Sequence, residues 1–300
     1  MTMTWSPVTR RDAFLTRGTN PNTGRGLEIG ALNNPIIPSG IGSIKYVDYT
    51  DTEGLRRQHA ALPDRVAGIV NVDYVWRGSG SLAEVVGEVD AFDFVIASHV
   101  IEHVPNTLGW FRGICSVMKP GGVFNLAVPD KRYTFDLKCP LSTLAQLIEA
   151  DMLNYQIPSV RQMFEHTFNI AKIEPGAIWL DNLNVDSLEK YNSDYAIYLA
   201  HDQASKIISE GTYIDSHCWF YTPSSFLELM EGAVLLERFD FLLTHIEPTL
   251  EGDFEFFVSL EKPQRVETRE KLKMQQFGLI QDAKRLVAER QRRFSLAALM

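Results

Sequence analysis

Cysteine is scarce in this chain. Cys115, Cys139 and Cys218 are the only three among 300 residues, and none sits at a paired spacing. So small and scattered a set excludes a disulfide framework and a thiolate zinc site, and it fits a reducing cytoplasm. Long hydrophobic runs are missing as well: no apolar stretch approaches the roughly 20 residues that span a bilayer. The N-terminus, with Arg10-Arg11-Asp12, lacks the basic-then-apolar layout of a secretory signal. A soluble, cytoplasmic protein is expected. Positive charge is in deficit, with 29 Lys+Arg against 38 Asp+Glu and a net charge of -9, so nucleic acid is not the expected partner. The histidines are dispersed, without His-x₃-His or Cys-x₂-Cys spacing, and predict no metal site. Internal repeats and low-complexity tracts are absent.

What the chain does have is enough apolar material, 45%, for a real core. Three hundred residues suit one core domain with an insertion and a tail, here residues 1–263, with an insertion over 131–216, and 264–300. Strands are predicted at Gly26–Ala31, Ile44–Tyr49, Ile69–Val75, Phe92–Ser98 and Val123–Val128. Helices are predicted at Thr52–Ala61, Ser81–Val86 and Thr107–Met118. That alternation implies an α/β fold, Rossmann-like, whose mostly parallel sheet carries helices on both faces. Lys131 to Ser216 breaks the rhythm, with helices expected near Leu141–Asn154, Val160–Phe168 and Tyr195–Glu210, as an insertion over the crevice mouth. Then come a helix at Pro223–Glu231, capped by Thr222, and strands at Leu235–His245 and Phe254–Leu260 forming an antiparallel hairpin.

A long C-terminal helix is expected from about Arg265 to Phe294. Its stripe of Leu272, Leu279, Ala283 and Leu286 is widened by Ile280 and Val287. Lys262 to Arg293 holds ten Lys/Arg against four Asp/Glu. The stripe could pack on its own domain, pair as a coiled coil despite Gln276 and Arg290 at seam positions, or lie on an anionic membrane through Lys284, Arg285, Arg290, Arg292 and Arg293. A chain stopping at Ala297-Ala298-Leu299-Met300 without a polar cap is expected to be a piece of a longer protein.

Four segments carry the chemistry. Glu28-Ile29-Gly30 ends the first strand, but Ala31-Leu32-Asn33-Asn34-Pro35 follows instead of the further glycines that a pyrophosphate needs. A carboxylate there suits a cationic ligand such as S-adenosylmethionine, with its ammonium and sulfonium groups. Asp48 ends the second strand, where an acid accepts hydrogen bonds from ribose hydroxyls. Asp73 could approach an adenine amino group, and Ser98 and His99 lie where the fourth strand opens into the crevice. A nicotinamide oxidoreductase on the same architecture is the alternative, disfavoured by the missing glycines. A non-catalytic docking module has no need of such a cleft.

Taken in order, the Glu-x-Gly segment, acidic Asp48, His99-Val100-Ile101-Glu102-His103 after a Phe-Asp strand, and Lys119-Pro120-Gly121-Gly122 resemble the class I S-adenosylmethionine-dependent methyltransferases. The resemblance covers about Leu27–Pro129 and, more loosely, Thr222–Lys262. It implies S-adenosyl-L-methionine as cofactor, held by Glu28, Gly30, Asp48, Asp73 and Ser98, with Ala31 and His99 beside them. The chain also resembles a subgroup associated with polysaccharide biosynthesis through Glu28–Pro35, Pro129–Asp136 and His217-Cys218-Trp219. One departure is that Pro35 and Pro38 interrupt the short link between the first two strands, so the usual helix there is expected to be shortened or absent.

Methyl transfer from a sulfonium is an in-line displacement in which the protein mainly positions the acceptor. A small-molecule or glycan hydroxyl would gain from a general base. Candidates are His217, His166, Asp130, His99 and His103. Arg132 could hold an anionic acceptor with its planar fork. The acceptor, the atom methylated and the oligomeric state are not legible.

Overall fold

Uninterrupted apolar runs make strands buried on both faces, and the centre of this fold is built from them. The computed structural model describes residues 4–179 and 183–297. A short helix α1 (Arg10–Leu15) leads into β1 (Arg25–Ile29) and β2 (Ser43–Asp48). There follow α2 (Thr52–Gln58), α3 (Pro63–Gly68), β3 (Tyr74–Val75), α4 (Leu82–Val86), β4 (Phe92–Ser98), α5 (Thr107–Val117) and β5 (Met118–Pro129). After β5 come α6 (Leu144–Met152), α7 (Val160–Asn169) and α8 (Ala196–Glu210), with short 3₁₀ turns between them. The chain finishes with α9 (Pro223–Leu235), β6 (Leu242–Glu247), β7 (Glu255–Glu261) and α10 (Arg269–Ala297).

The seven strands form one sheet in the order β3-β2-β1-β4-β5-β7-β6. β1, β2, β3, β4 and β5 pair in parallel, whereas β7 runs antiparallel to both β5 and β6. The order reverses between β1 and β4. Ligands of open α/β sheets bind at that reversal, beyond the carboxyl ends of the strands.

The two faces of the sheet are covered differently. On one, Trp110, Phe111 and Ile114 of α5 and Phe226 and Met230 of α9 join Phe124, Phe241 and Phe256 in the larger core. On the other, no helix connects β1 to β2. Ile36, Ile37 and Ile41 of the linking loop and Leu15 of α1 pack there against Phe94, Ile96, Ala127 and Phe257. Glu28 organises that loop: its buried carboxylate accepts the backbone N–H groups of Ile36 (2.7 Å) and Ile37 (3.1 Å). Pro35 and Pro38 bar a helix, and the acid satisfies amides that a helix would have paired.

Three expectations need correction. The strand expected over 69–75 is only Tyr74–Val75, which pairs with just Val47 and Asp48 at the end of β2. The strand expected from Leu235 begins at Leu242, since α9 continues to Leu235. α1 was not anticipated, although Thr9 and Asp12 form a reciprocal capping box around its first turn.

Helix α10 lies on α9 and β6. Leu272, Gln276, Ile280, Ala283 and Val287 are its buried positions, and Gln276 Nε2 donates to the carbonyls of Phe239 (2.7 Å) and Phe241 (3.0 Å). Of the basic residues on this helix, Lys284 pairs with Glu231, Arg290 with Glu247 and Arg285 with Asp282. Among the described residues, no helix is long and apolar enough to cross a membrane.

Candidate active site

Gly30 terminates β1 at φ +70°, a conformation open to glycine and strained for other residues. A Cβ there would lie 2.6 Å from Val100 Cγ2, so only glycine lets the two strand ends enclose a cleft. Asp48 closes β2 beside it, with Oδ1 accepting the Tyr49 N–H at 2.8 Å. Both line a cavity of 330 Å³, together with Tyr49, Trp76, Trp110 and Tyr213. A second cavity of 520 Å³ shares Gly30, Asp48, Tyr49, Val100, His103 and Tyr213 with the first, and adds His99 and Asp215.

The residues present fit an adenosyl sulfonium. Aromatic faces suit an adenine, and Asp48 sits where ribose hydroxyls would donate. Trp110 Nε1 lines the same cavity and is buried with no hydrogen-bond partner among the described residues. An adenine ring nitrogen or a water would satisfy it. Burial pushes the Asp48 carboxyl up to about 6, opposed by the Tyr49 N–H and reinforced by the charge of Asp215. Near neutral pH it still ionises.

His103 joins this cleft to a cluster of histidines and carboxylates. Its Nδ1 lies 2.9 Å from Asp215 Oδ1, and Asp215 also accepts the Tyr213 hydroxyl at 3.0 Å. The His103 ring meets His217 edge-on at 4.6 Å, and His217 stacks on His166 at 5.0 Å. His217 Nδ1 lies 2.7 Å from Asp136 Oδ2, while His166 Nδ1 faces the Ser216 hydroxyl at 3.2 Å. Two backbone bonds fasten the His217 segment here: the N–H groups of Cys218 (2.6 Å) and Trp219 (3.3 Å) both donate to the Glu102 carbonyl.

The environment drives the protonation states apart. Burial lowers His103, but the Asp215 hydrogen bond and the charges of Glu102, Asp215 and Asp136 lift it to about 9. Burial, with the neighbouring charge of His217, takes His166 down to about 4. Asp136 resists its own burial and stays below the ordinary carboxylate range because His217, His166 and His103 face it. At neutral pH the cluster therefore holds both a charged imidazole and a neutral one.

Of the other residues expected at the cofactor, Glu28, Ala31, Asp73 and Ser98 are not among those lining the two cavities. Glu28 is not among the residues lining the cleft; it holds the loop amides of Ile36 and Ile37, and burial raises its carboxyl to about 7. Asp73 precedes β3 and bonds Lys45 Nζ (2.7 Å) and the Tyr46 N–H (2.9 Å), below the strand ends. Ser98 is bonded by Arg11 of α1, and Ala31 is buried behind Gly30. His99 lines the second cavity, with Nε2 2.7 Å from Glu255.

Asp130 is fully buried and accepts from Arg132 Nε and Nη2 and from the Thr249 hydroxyl (2.8 Å), so its carboxylate is already engaged by the protein. Conversely, Glu102, Asp136 and Asp215 were not anticipated in the cluster. For Asp136 and Asp215 the only hint was their place beside the Pro129–Asp136 and His217-Cys218-Trp219 motifs.

Residues 10–233 of the chain match the family described as Methyltransferase domain. Among solved structures, the chain is similar to an S-adenosylmethionine-dependent methyltransferase from Mesorhizobium loti, at 15% identity and a TM-score of 0.40, over 80% of this chain and 92% of the other. It is similar to a protein from Rhodobacter sphaeroides described as a zinc-dependent alcohol dehydrogenase, at 15% identity and a TM-score of 0.45, over 85% and 90%. A Thermotoga maritima S-adenosylmethionine-dependent methyltransferase gives 13% identity and a TM-score of 0.35, over 80% and 82%. No curated protein matches the chain. The assignment rests on the family match, which spans most of the length, and on the fit of the cleft. The chain belongs to the methyltransferase-domain family and is an S-adenosylmethionine-dependent methyltransferase.

Proposed function

We propose that the methyl group goes to an oxygen of a carbohydrate or related small acceptor, in the cytoplasm, as a step of polysaccharide biosynthesis. The observation that carries this reading is the histidine–carboxylate cluster opening off the cofactor cleft at His103. A carbon or nitrogen acceptor with its own lone pair or carbanion needs little of such machinery, whereas a neutral hydroxyl must lose its proton. The residues after β5, from 131 to 216, supply Asp136, His166 and Asp215 and serve as the acceptor-side cover of the core domain.

The donor supplies an activated methyl carbon when bound. This chain's residues hold it and handle the proton. Asp48 and the aromatic walls fix the adenosine half. The acceptor oxygen would take the methyl that the bound donor supplies, and its hydroxyl proton would pass into the histidine–carboxylate cluster. Removing that proton accounts for roughly 10²–10⁴ in rate.

The test is incubation of the full chain with S-adenosylmethionine and a panel of sugar, phenol, carboxylate and amine acceptors. Product masses and the methyl position are then read by mass spectrometry and NMR. A methyl on a sugar oxygen is expected. Methylation confined to nitrogen or carbon rejects the reading.

A further inference from the structure

We propose that Glu102, His103 and His217 form a binding site for a divalent first-row transition cation of the zinc or manganese type, on the wall of the cofactor cleft. One ligand atom from each of these residues lies within 4.8 Å of the others, close enough for small side-chain shifts to bring them round a single ion.

Glu102 gives the first argument. Its side chain is 1% exposed, yet neither carboxylate oxygen has a hydrogen-bond partner among the described residues. The facing imidazole nitrogens are His99 Nδ1 at 3.6 Å and His103 Nε2 at 3.9 Å, both beyond hydrogen-bond reach. A buried carboxylate without a hydrogen bond is costly, and the charged His103 ring that faces it stops short of satisfying either oxygen.

The histidines give the second. His103 Nδ1 is spent on Asp215 and His217 Nδ1 on Asp136, so in each ring Nε2 is the nitrogen left over. A carboxylate behind the far nitrogen of each imidazole is the arrangement that orients metal-binding histidines and strengthens them as donors. His99 is backed in the same way by Glu255 and approaches Glu102 from a third side.

The alternative set of Asp136, His166 and His217 is also compact. In it, however, Asp136 and His217 already satisfy each other at 2.7 Å, and His166 Nδ1 is engaged by Ser216. Two imidazoles and one carboxylate favour a transition cation over magnesium or calcium, which prefer all-oxygen shells. Three protein ligands leave positions open for an acceptor oxygen.

The binding site stands on these residues alone; its catalytic use rests on the proposed O-methylation. There, a hydroxyl bound to the cation would lose its proton more readily, the proton passing to the groups of the cluster that do not hold the cation and from them to water.

The test needs neither donor nor acceptor. Full-length protein stripped with EDTA is titrated with Zn²⁺ by calorimetry and with Co²⁺ by visible absorption. One equivalent is expected, with the d–d bands of a nitrogen- and oxygen-ligated cobalt. Glu102→Gln should weaken binding ~100-fold or more, and Asp215→Asn, which keeps the ligands and loses only the support, about 10–100-fold. His166→Ala should bind normally. Equal affinity in the wild type and both carboxylate variants overturns the site, as does loss confined to His166→Ala. Should Glu102→Gln fail to fold by circular dichroism, Asp215→Asn decides alone. A chain that binds the cation but methylates nitrogen would sink the proposed function and leave the site standing. One that methylates sugar oxygens without binding a cation would do the reverse.

Discussion

The two ends of the cleft are built on different principles. The cofactor end consists of strand termini: Gly30, Asp48 and Val100 follow directly from β1, β2 and β4, and their positions are set by parallel pairing in the sheet. The proposed acceptor end consists of side chains from four separate segments, at 102–103, 136, 166 and 215–217, and all of these segments are tied in by hydrogen bonds although Glu102 makes none with its side chain. The first end is scaffolded by backbone, the second by its own charges. Removing one group from the first should therefore cost affinity locally. Removing one from the second should disturb several protonation states together.

The largest expected effect tests that contrast at the acceptor end. His217→Ala should lower kcat roughly 10²–10³-fold while leaving the Kd for S-adenosylmethionine within about threefold. Loss of cofactor binding on the same scale would merge the two ends into one.

Next is Asp48→Ala, expected to weaken S-adenosylmethionine about 10–100-fold by calorimetry without lowering Tm, since hydrogen bonds to a charged group contribute ~1.5–3 kcal/mol. Because burial raises Asp48 to about 6, its acceptor capacity is complete above that pH and is lost as pH falls through it. Cofactor affinity should decline below about pH 6 in the wild type and not in the variant.

Gly30→Ala should cost about 1–3 kcal/mol of stability through its positive φ and the Val100 contact, with weaker cofactor binding as a consequence.

The smallest effect on catalysis belongs to Glu28→Gln, because that carboxylate lies outside the cleft. Its signature is thermodynamic. The folded chain holds the Glu28 proton up to about 7, whereas an ordinary carboxyl releases it at 4.5. Folded protein thus binds more protons across that interval, and stability falls as pH rises through it. Denaturation series at pH 5 and 7.5 should show a decline in the wild type that is reduced in Glu28→Gln, by at most about 3 kcal/mol. Equal declines would place the raised group elsewhere.

Legibility in the sequence follows the same division. Phe92–Ser98 reads as a buried strand and is one, because an apolar run between turn signals has few other uses at that length. Asp48 and Gly30 line the cavity for a related reason: a residue at a strand end inherits its place from the sheet. Glu28 and Asp73 answer to other partners: a proline-bent loop engages the first, and the second enters a strand instead of leaving it.

Of the cluster, the sequence offered His103, His166 and His217 as separate candidate bases, but not that they meet one another and Glu102, Asp136 and Asp215. His103 and His217 are far apart in sequence, and Glu102 offered only an acid beside a histidine. No spacing rule reports a contact made across a sheet and through the loops covering it. Gln276 shows a milder failure: read as a blemish in a helical seam, it satisfies two carbonyls beneath α10.

Helix α1 has a consequence for how the enzyme comes into being. Arg11 reaches Ser98 at the end of β4 and Glu255 in β7, and Glu255 in turn steadies His99. The partners Arg11 and Glu255 are separated by 244 positions. A ribosome must therefore release the chain beyond Glu255 before the pair between Arg11 and Glu255 can close. Until then the His99 side of the cavity has no support, and a tag fused close ahead of Thr9 would be felt there.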